Sequence, residues 1–283
     1  MPSIAYDPSK TALFHPEARE TLFEPGKQYS TLQLAIETAR LAYVRFEQST
    51  QELARLTSAV QRVGFEPPEQ FVDVRTDSQG FGAYRPADKL ALVAFRGTQP
   101  NKLKDIGTDL EALPVPWPES GGLAHRGFAS RAEVLLPKIR NWLDTQCRDR
   151  SSLLVTGHSL GAALATLVAS VCRPAELVTI GSPRVGNAEF VDSITDLKCT
   201  RIVDCCDDVT EVPLAPGLYE HVGAPLYIDR NGATVQAPVG SSIASDRTAA
   251  RIAYTLRYAW RPGMVLARGL ADHAPINYLR AFF

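Results

Sequence analysis

One serine lies between two glycines in the stretch LLVTGHSLGAALA, where Gly157-His158-Ser159-Leu160-Gly161 fits the pattern G-x-S-x-G. An apolar segment precedes the pattern and a run of small residues follows it, so the serine stands at a predicted strand-to-helix turn. A Cβ atom at either flanking position would collide with the neighbouring element, which explains the glycines. The pattern predicts that Ser159 Oγ is a nucleophile, with N–H groups of the helix start aimed at a developing oxyanion. The alternative is a serine N-cap whose glycines only permit tight packing.

A nucleophilic serine needs a general base and a carboxylate that orients it, and at a strand–turn–helix nucleophile both follow the serine along the chain. Two histidines do so, His221 and His273, whereas His158 adjoins the serine and should point away from it. The candidate acids follow a predicted strand in TRIVDCCDDV: Asp204, Asp207 and Asp208. The residues alone leave both histidines and all three carboxylates open.

Strands alternate with helices along the chain. Buried strands are predicted at KLALVAFRGT, SSLLVTG, AELVTIGSP and KCTRIVDCCDD, and helices near 127–147, 159–172 and 187–196. QFVDVRTD alternates as a half-buried strand and pairs with FGAYRP. The alternation indicates βαβ units, and therefore an α/β fold with a central, mostly parallel sheet flanked by helices. No shift in composition marks a domain boundary, so one domain is expected over residues 1–283.

The N-terminal part precedes these units. Residues 1–29 are rich in proline and predict an irregular arm. Apolar residues then recur near helical spacing over residues 30–62, which predicts one long helix. Ser30 with Gln33 fits a capping box at its start, and Gly64 ends it.

Composition excludes several classes of protein. The 283 residues carry 30 basic and 31 acidic side chains, a formal net charge of -1, so no global field recruits nucleic acid. The sequence contains no run of 18 apolar residues, so no membrane span is predicted. The start, MPSIAYDPSK, lacks an apolar signal core, so a cytoplasmic protein is expected, or alternatively a secreted protein whose leader has been removed.

Five cysteines are present, an odd number without the paired spacing of a zinc site. They predict reduced thiols packed as small hydrophobic side chains. The serine chemistry requires no metal and no organic cofactor, so none is expected.

Seven segments together resemble the class 3 lipase family, the fungal-type lipases of the α/β-hydrolase superfamily. They occur in the family's order: ARLAY (39–43), VAFRGT (93–98), HRGF (125–128), VTGHSLGAALA (155–165), TIGSPRVGN (179–187), TRIVDCCDDV (200–209) and YEHVGAPLYI (219–228). The resemblance implies an α/β-hydrolase fold and a serine hydrolase that cleaves lipid carboxylic esters, as a triacylglycerol lipase or carboxylesterase. Phospholipase A1 and feruloyl-type esterase are the alternatives on the same scaffold.

The resemblance also implies roles for single residues. It makes Ser159 the nucleophile, Asp207 the acid and His273 the base, and it assigns the oxyanion hole to Thr98 and Leu160.

One position departs from the family. Thr210 stands where the family usually has a proline after the acid, and Asp208 adjoins Asp207. The sequence therefore leaves open which of these two aspartates is the acid that orients the histidine.

An amphipathic segment follows Thr98 and forms a candidate lid over residues 99–118. Its apolar stripe has helical spacing and consists of Leu103, Ile106, Leu110 and Leu113. We expect the stripe to cover the site in water and to meet lipid when the lid opens. The alternative is an ordinary surface helix packed on the core.

A second amphipathic segment is DRTAARIAYTLRYAWRPG, residues 246–263. One side of the predicted helix carries Arg247, Arg251, Arg257 and Arg261, and the opposite side Ile252, Leu256, Ala259 and Trp260. The segment could rest on an anionic lipid surface, flank an acyl groove, or place a solvated basic face over a packed apolar one. The expected partners are thus a lipid or other ester substrate and a transient lipid interface. The sequence does not fix the oligomeric state.

Overall fold

A twisted sheet of eight strands forms the centre of the protein. The structure is a computed structural model and describes residues 4–98, 113–215, 217–236 and 238–283. Its strands are β1 (Glu69–Asp73), β2 (Ser78–Arg85), β3 (Leu90–Phe95), β4 (Pro114–Pro116), β5 (Leu123–His125), β6 (Ser152–His158), β7 (Glu176–Ile180), β8 (Lys198–Asp204), β9 (Pro225–Ile228) and β10 (Thr234–Gln236).

The strand order in the large sheet is β1-β2-β3-β6-β7-β8-β9-β10. The five strands from β3 to β9 in this order pair in parallel, whereas β1-β2-β3 and β9-β10 are antiparallel. Strands β4 and β5 form a separate antiparallel pair. The predicted mostly parallel sheet is confirmed, and the carboxyl ends of β6 and β8 meet at one edge, where ligands of such sheets bind.

Helices cover both faces of the sheet. Their bounds are α1 (Lys10–Phe14), α2 (Thr31–Leu41), α3 (Thr50–Gln61), α4 (Arg126–Thr145), α5 (Leu160–Val171), α6 (Ala188–Asp192), α7 (Gly240–Arg257), α8 (Arg268–Asp272) and α9 (Pro275–Leu279). In β3, Val93 and Phe95 pack on the side of α4 and α5, whereas Leu92 and Ala94 pack on the side of α2 and α3. Burial on both faces explains why this strand is apolar throughout.

The predicted single helix over residues 30–62 is wrong, because α2 and α3 are separated by residues 42–49. The side chain of Ser49 accepts a hydrogen bond from the backbone N–H of Glu52 and so starts a new helix. Apolar residues keep their helical spacing across the break, so the sequence pattern does not reveal where α2 ends. The capping box of Ser30 and Gln33 at the start of α2 is confirmed.

The N-terminal arm is more regular than expected, since α1 and a 3₁₀ turn at Pro16–Ala18 lie within it. It is held by the end of the chain: the Asp7 N–H donates to Asn277 Oδ1, and Asn277 Nδ2 donates back to the Asp7 carbonyl. The first described residues therefore support the segment that carries His273.

The interpretation in which the apolar side of α7 packs on the core, under a solvated basic side, is wrong. Ala250 and Tyr254 are buried, whereas Ile252 and Leu256 are 59% and 75% exposed. The basic side instead meets the loop after β8, where Arg247 binds the Glu211 carboxylate, the Cys205 carbonyl oxygen accepts from Arg247, and Arg251 binds Asp208.

A search of the helices in the described ranges finds none with the length and hydrophobicity needed to cross a bilayer.

Candidate active site

Ser159 occupies the junction between β6 and α5. Its backbone has φ 59° and ψ -130°, in the region that residues with a Cβ rarely adopt, so the turn is strained. The Ser159 N–H donates to the Ile180 carbonyl of β7 at 3.0 Å, which fixes the turn to the next strand. The structure therefore has the strand–turn–helix arrangement predicted from the pattern.

Three glycines let neighbouring segments approach this turn. A Cβ atom on Gly157 would lie 2.2 Å from the Gly161 carbonyl oxygen, and one on Gly161 would lie 2.4 Å from the Phe95 carbonyl oxygen. A Cβ atom on Gly97 would lie 2.9 Å from the Ser159 Cβ. Contacts below 3.0 Å with backbone require movement, so each of these positions excludes a larger side chain.

Asp207 lies in the loop after β8 and is buried. The two carboxylate oxygens lie 3.0 and 2.8 Å from His273 Nδ1. They also accept hydrogen bonds from the Tyr278 hydroxyl at 2.5 Å and from the Val209 N–H at 2.9 Å. Because Nδ1 donates to this carboxylate, the other ring nitrogen of His273 is available to take a proton.

Two polar atoms at this edge have no hydrogen-bond partner in the described part of the chain. They are Ser159 Oγ and His273 Nε2, and both are buried. The His158 ring, next to the serine, lies 4.5 Å from the His273 ring between centroids, so the two atoms belong to one region. Buried polar atoms are nearly always paired, which makes this pair a candidate reaction site.

His158 adjoins that region and links it to the segment after α2. Its Nε2 lies 2.8 Å from the His273 carbonyl oxygen, which can only accept, so Nε2 donates. Its Nδ1 then accepts from the Tyr43 hydroxyl at 2.7 Å. Burial, and next the charge of His273, hold the pKa of His158 well below its usual value. The neutral ring fixes the backbone of His273.

His221, the other candidate base, lies elsewhere. Its Nε2 is 2.8 Å from the Thr210 carbonyl oxygen. Burial, followed by the charge of Arg201, lowers the pKa of His221 to about 3. The structure brings His273, and not His221, to the Asp207 carboxylate.

The other aspartates after β8 have different partners. Asp208 is half exposed and pairs with Arg251 at 2.9 Å, and Asp204 pairs with Arg280 at 3.1 Å. At the position of the family's proline, the Thr210 hydroxyl donates to the Asp207 carbonyl at 2.7 Å. At this position a hydrogen bond, and not a proline, holds the loop.

The predicted oxyanion residues flank the turn. Leu160 is the first residue of α5, where backbone N–H groups have no partner within the helix. Thr98 is half-buried and follows Gly97. Of the predicted lid stripe, Leu113 is 47% exposed, and Leu103, Ile106 and Leu110 lie outside the described residues.

Sequence reasoning missed two residues at the site. One is Tyr278, which contacts Asp207. The other is Gly181, whose φ of 57° brings the backbone so close that a Cβ atom would lie 2.7 Å from Asp207 Oδ2. A glycine directly after a buried strand is a signal for such close approach. Tyr278 gave no signal beyond its short separation from His273.

One group of possible metal ligands occurs in the described ranges, formed by Cys205, Cys206 and Asp272, with donor atoms within 4.8 Å of one another. Asp272 already accepts hydrogen bonds from Arg268 and from the Tyr6 hydroxyl. These residues therefore belong to a hydrogen-bonded network that adjoins Asp207 and His273.

Comparison with known proteins gives the relationships of this chain. Residues 92–216 match the family model described as lipase (class 3). The chain is 31% identical over 195 residues to a lipase from Rhizomucor miehei, a match that covers 63% of this chain and 53% of that protein. It is 33% identical over 170 residues to secreted mono- and diacylglycerol lipase A from Penicillium cyclopium, covering 56% and 55%. It is 29% identical over 192 residues to phospholipase A1-II 3 from Oryza sativa subsp. japonica, covering 53% and 44%.

The fold agrees with these matches. The solved propeptide complex of Rhizomucor miehei lipase superposes with a TM-score of 0.60 at 21% identity, covering 84% of this chain and 86% of that one. By sequence, the chain spans about half the length of the relatives it matches.

The expectation of a cytoplasmic protein is wrong. The finding that overturns it is the relative from Penicillium cyclopium, which is named a secreted lipase. The error came from the opening residues, which do not report on the compartment. Over residues 92–216 and in its sequence relatives, this chain is similar to the class 3 lipases, and its fold is similar to that of a solved fungal lipase.

Proposed function

We propose that this chain hydrolyses carboxylic esters of lipids through an acyl-enzyme on Ser159, with His273 as the base and Asp207 as the acid. The proposal rests on two buried atoms that have no hydrogen-bond partner in the described residues, Ser159 Oγ and His273 Nε2. The other nitrogen of the His273 ring, Nδ1, is bound to the Asp207 carboxylate. The names of the fungal relatives, lipase and mono- and diacylglycerol lipase, support the substrate class.

In the first half-reaction, Ser159 Oγ attacks the ester carbonyl carbon while His273 Nε2 takes its proton. The Asp207 carboxylate holds the imidazole in the required tautomer and stabilises the imidazolium. The proton then passes to the leaving alcohol. In the second half-reaction, water attacks the acyl-enzyme and His273 accepts the water's proton. His273 then returns this proton to Ser159 Oγ as the bond from Oγ to the acyl carbon breaks and the acid product leaves.

The tetrahedral oxyanion of each half-reaction needs donors. The backbone N–H groups of Leu160 and Thr98 are proposed for this role, with the Thr98 hydroxyl as an additional donor. Each donor of this kind is worth about 3–4 kcal/mol of transition-state stabilisation. Helix α5 adds its positive end at the same point.

The test is labelling by a fluorophosphonate probe, with the adduct mapped by mass spectrometry. Wild-type protein should carry one adduct, on Ser159, and Ser159→Ala should carry none and lose on the order of 10⁶-fold in kcat. The matched control is Ser170→Ala, a buried serine within α5, which should label normally. Labelling of another residue, or esterase activity retained by Ser159→Ala, contradicts the proposal.

A second candidate is phospholipase A1, because one relative from Oryza sativa carries that name. A feruloyl-type esterase is the other alternative on this scaffold. A series of nitrophenyl esters of increasing acyl length, run beside a phospholipid and a feruloyl ester, separates the three. The lipase proposal predicts preference for medium or long acyl chains over both other substrates.

Of the expected lid at residues 99–118, the part up to Leu113 is proposed as a lid over this site, because residues 114–116 form β4, paired with β5, and Trp117 is buried. The support is the apolar stripe in the sequence and the exposure of Leu113 at its end. A lid that opens at lipid should make the rate rise abruptly when an ester exceeds its solubility limit. A smooth rate curve through that limit contradicts the lid.

A further inference from the structure

Helix α7 and the turn that follows it expose a row of large apolar side chains. Ile252 and Leu256 are one helical turn apart, and Trp260 follows with its ring N–H bound to the Leu256 carbonyl; the exposed fractions are 59%, 75% and 69%. Scattered exposed apolar residues are ordinary, but a continuous row on one helix face marks an interaction surface. Tryptophan is also enriched where apolar and aqueous phases meet.

An open pocket of about 290 Å³ lies beside this row. Its wall contains four guanidinium groups and three tyrosine rings, among them Arg230, Arg257, Arg268, Arg280, Tyr6 and Tyr258. Guanidinium groups bind phosphate oxygens in a bidentate manner, so such a lining suits a phosphate group.

Two carboxylates pair with the buried arginines of the pocket. Asp272 pairs with Arg268 at 3.0 Å and Asp204 pairs with Arg280 at 3.1 Å. Burial, followed by the charge of Asp272, raises the pKa of Asp204 above its usual value.

The outer wall is more strongly positive. Asp246 pairs with Arg230 at 3.5 Å. Arg257 stacks on the Tyr258 ring at 5.1 Å and makes no ion pair with any residue in the described ranges. Three of the four guanidinium groups thus pair with a carboxylate and Arg257 does not, although the chain as a whole has a net charge of -1.

The pocket and the apolar row lie on adjoining faces of α7. Ala253 and Arg257 line the pocket, and at 100° per residue Leu256 lies about 60° from Ala253 around the helix. A single approach of a flat surface can therefore reach both.

We propose that this face of α7 docks on a bilayer of anionic phospholipid, with the pocket holding a lipid phosphate and the apolar row entering the acyl boundary. Adjoining apolar and cationic faces on one surface helix are the arrangement that binds such interfaces. A soluble polyanion would use the arginines and leave the row in water. The inference goes beyond ester hydrolysis, because docking requires no chemistry at Ser159.

Vesicle co-sedimentation tests the proposal, with Ser159→Ala protein used so that the lipid stays intact. Binding should be strong to phosphatidylcholine vesicles that contain phosphatidylglycerol and weak to phosphatidylcholine alone. Arg257→Ala in the same background should weaken partitioning about fivefold, the effect of one arginine near an anionic surface. Leu256→Ser should weaken it roughly tenfold.

Two matched controls lie at the opposite edge of the sheet, in the turn after β1. Val74 is 87% exposed and the Arg75 side chain 81% exposed, so Val74→Ser and Arg75→Ala make the same chemical changes away from α7. Both should bind like the parent protein. Equal losses in the controls and in the α7 variants overturn the proposal.

Inorganic phosphate, added at the phosphate concentration of the vesicles, distinguishes a free anion from a headgroup. Docking predicts that phosphate alone leaves sedimentation unchanged. Full release by phosphate assigns the pocket to a free anion and overturns the proposal, as does equal binding to neutral and anionic vesicles. Self-association through α7, detected as a dimer without vesicles that Leu256→Ser abolishes, also overturns it.

Discussion

The two halves of the candidate site are held in position by different physical means. The turn at Ser159 is fixed by backbone packing: a strained φ of 59° and glycines whose Cβ atoms would lie 2.2–2.4 Å from carbonyl oxygens. The acid and base are fixed by side chains: Asp207 receives His273, Tyr278 and a backbone N–H.

Because of this difference, substitutions at the turn should affect stability, whereas substitutions around Asp207 should affect catalysis. In the turn, any added atom meets backbone that cannot move without disturbing the sheet, so substitutions should damage folding. Around Asp207, isosteric changes remove a charge or a hydrogen bond and leave packing intact, so they should damage catalysis.

Asp207→Asn should lower kcat about 10⁴-fold, because the amide cannot hold His273 in the required tautomer or stabilise its charged form. Steady-state kinetics on a nitrophenyl ester measure the loss, and thermal unfolding checks that the fold persists. The control is Asp208→Asn, which changes a half-exposed carboxylate paired with Arg251 and should leave kcat close to wild type. The reverse ranking of the two variants would move the acid to Asp208.

Gly161→Ala should destabilise the protein by more than about 3 kcal/mol, since the new Cβ would lie 2.4 Å from the Phe95 carbonyl oxygen. Urea unfolding measures the change. Gly240→Ala, at the start of α7, has nothing within 4 Å of the new Cβ and should be neutral or slightly stabilising. Similar free energies of unfolding for the two variants would refute the role of backbone packing at the turn.

The same contrast explains what the sequence could predict. The turn at Ser159 was predictable, because the glycine spacing and the flanking strand and helix lie within a few residues. Asp207 and His273 are 66 positions apart, so the residues alone left the acid and base open, and the family resemblance was needed to choose.

Other differences also arise from tertiary contacts. Helical spacing cannot show that Ser49 starts a second helix, and it cannot show which face of α7 meets the core. Arg247 and Arg251 face the loop after β8 because Glu211 and Asp208 lie there, and sequence periodicity does not encode that loop's position.

His221 should affect acid stability and not catalysis. Its pKa falls from 6.5 to about 3 on folding, so between these values the unfolded chain binds a proton that the folded chain does not, and stability falls as pH drops. Between pH 7 and pH 4 this contributes about 3 kcal/mol of lost stability. His221→Asn should remove that part of the loss in urea unfolding and retain kcat at pH 7. An unchanged pH slope, or a large fall in kcat, would contradict the assignment.

Tyr278→Phe should give the smallest effect, and it tests whether the side-chain half of the site is tuned beyond its acid and base. The hydroxyl donates to Asp207 Oδ2 at 2.5 Å, and its loss removes one of the bonds that orient the carboxylate. A hydrogen bond to a charged group is worth about 1.5–3 kcal/mol, so kcat should fall roughly tenfold while KM is retained. Tyr254→Phe removes a buried hydroxyl that binds the Val265 carbonyl, and it should reduce stability without lowering kcat. If both variants lose only stability, Tyr278 is a packing residue, and the Asp207 carboxylate is oriented by His273 and the Val209 N–H alone.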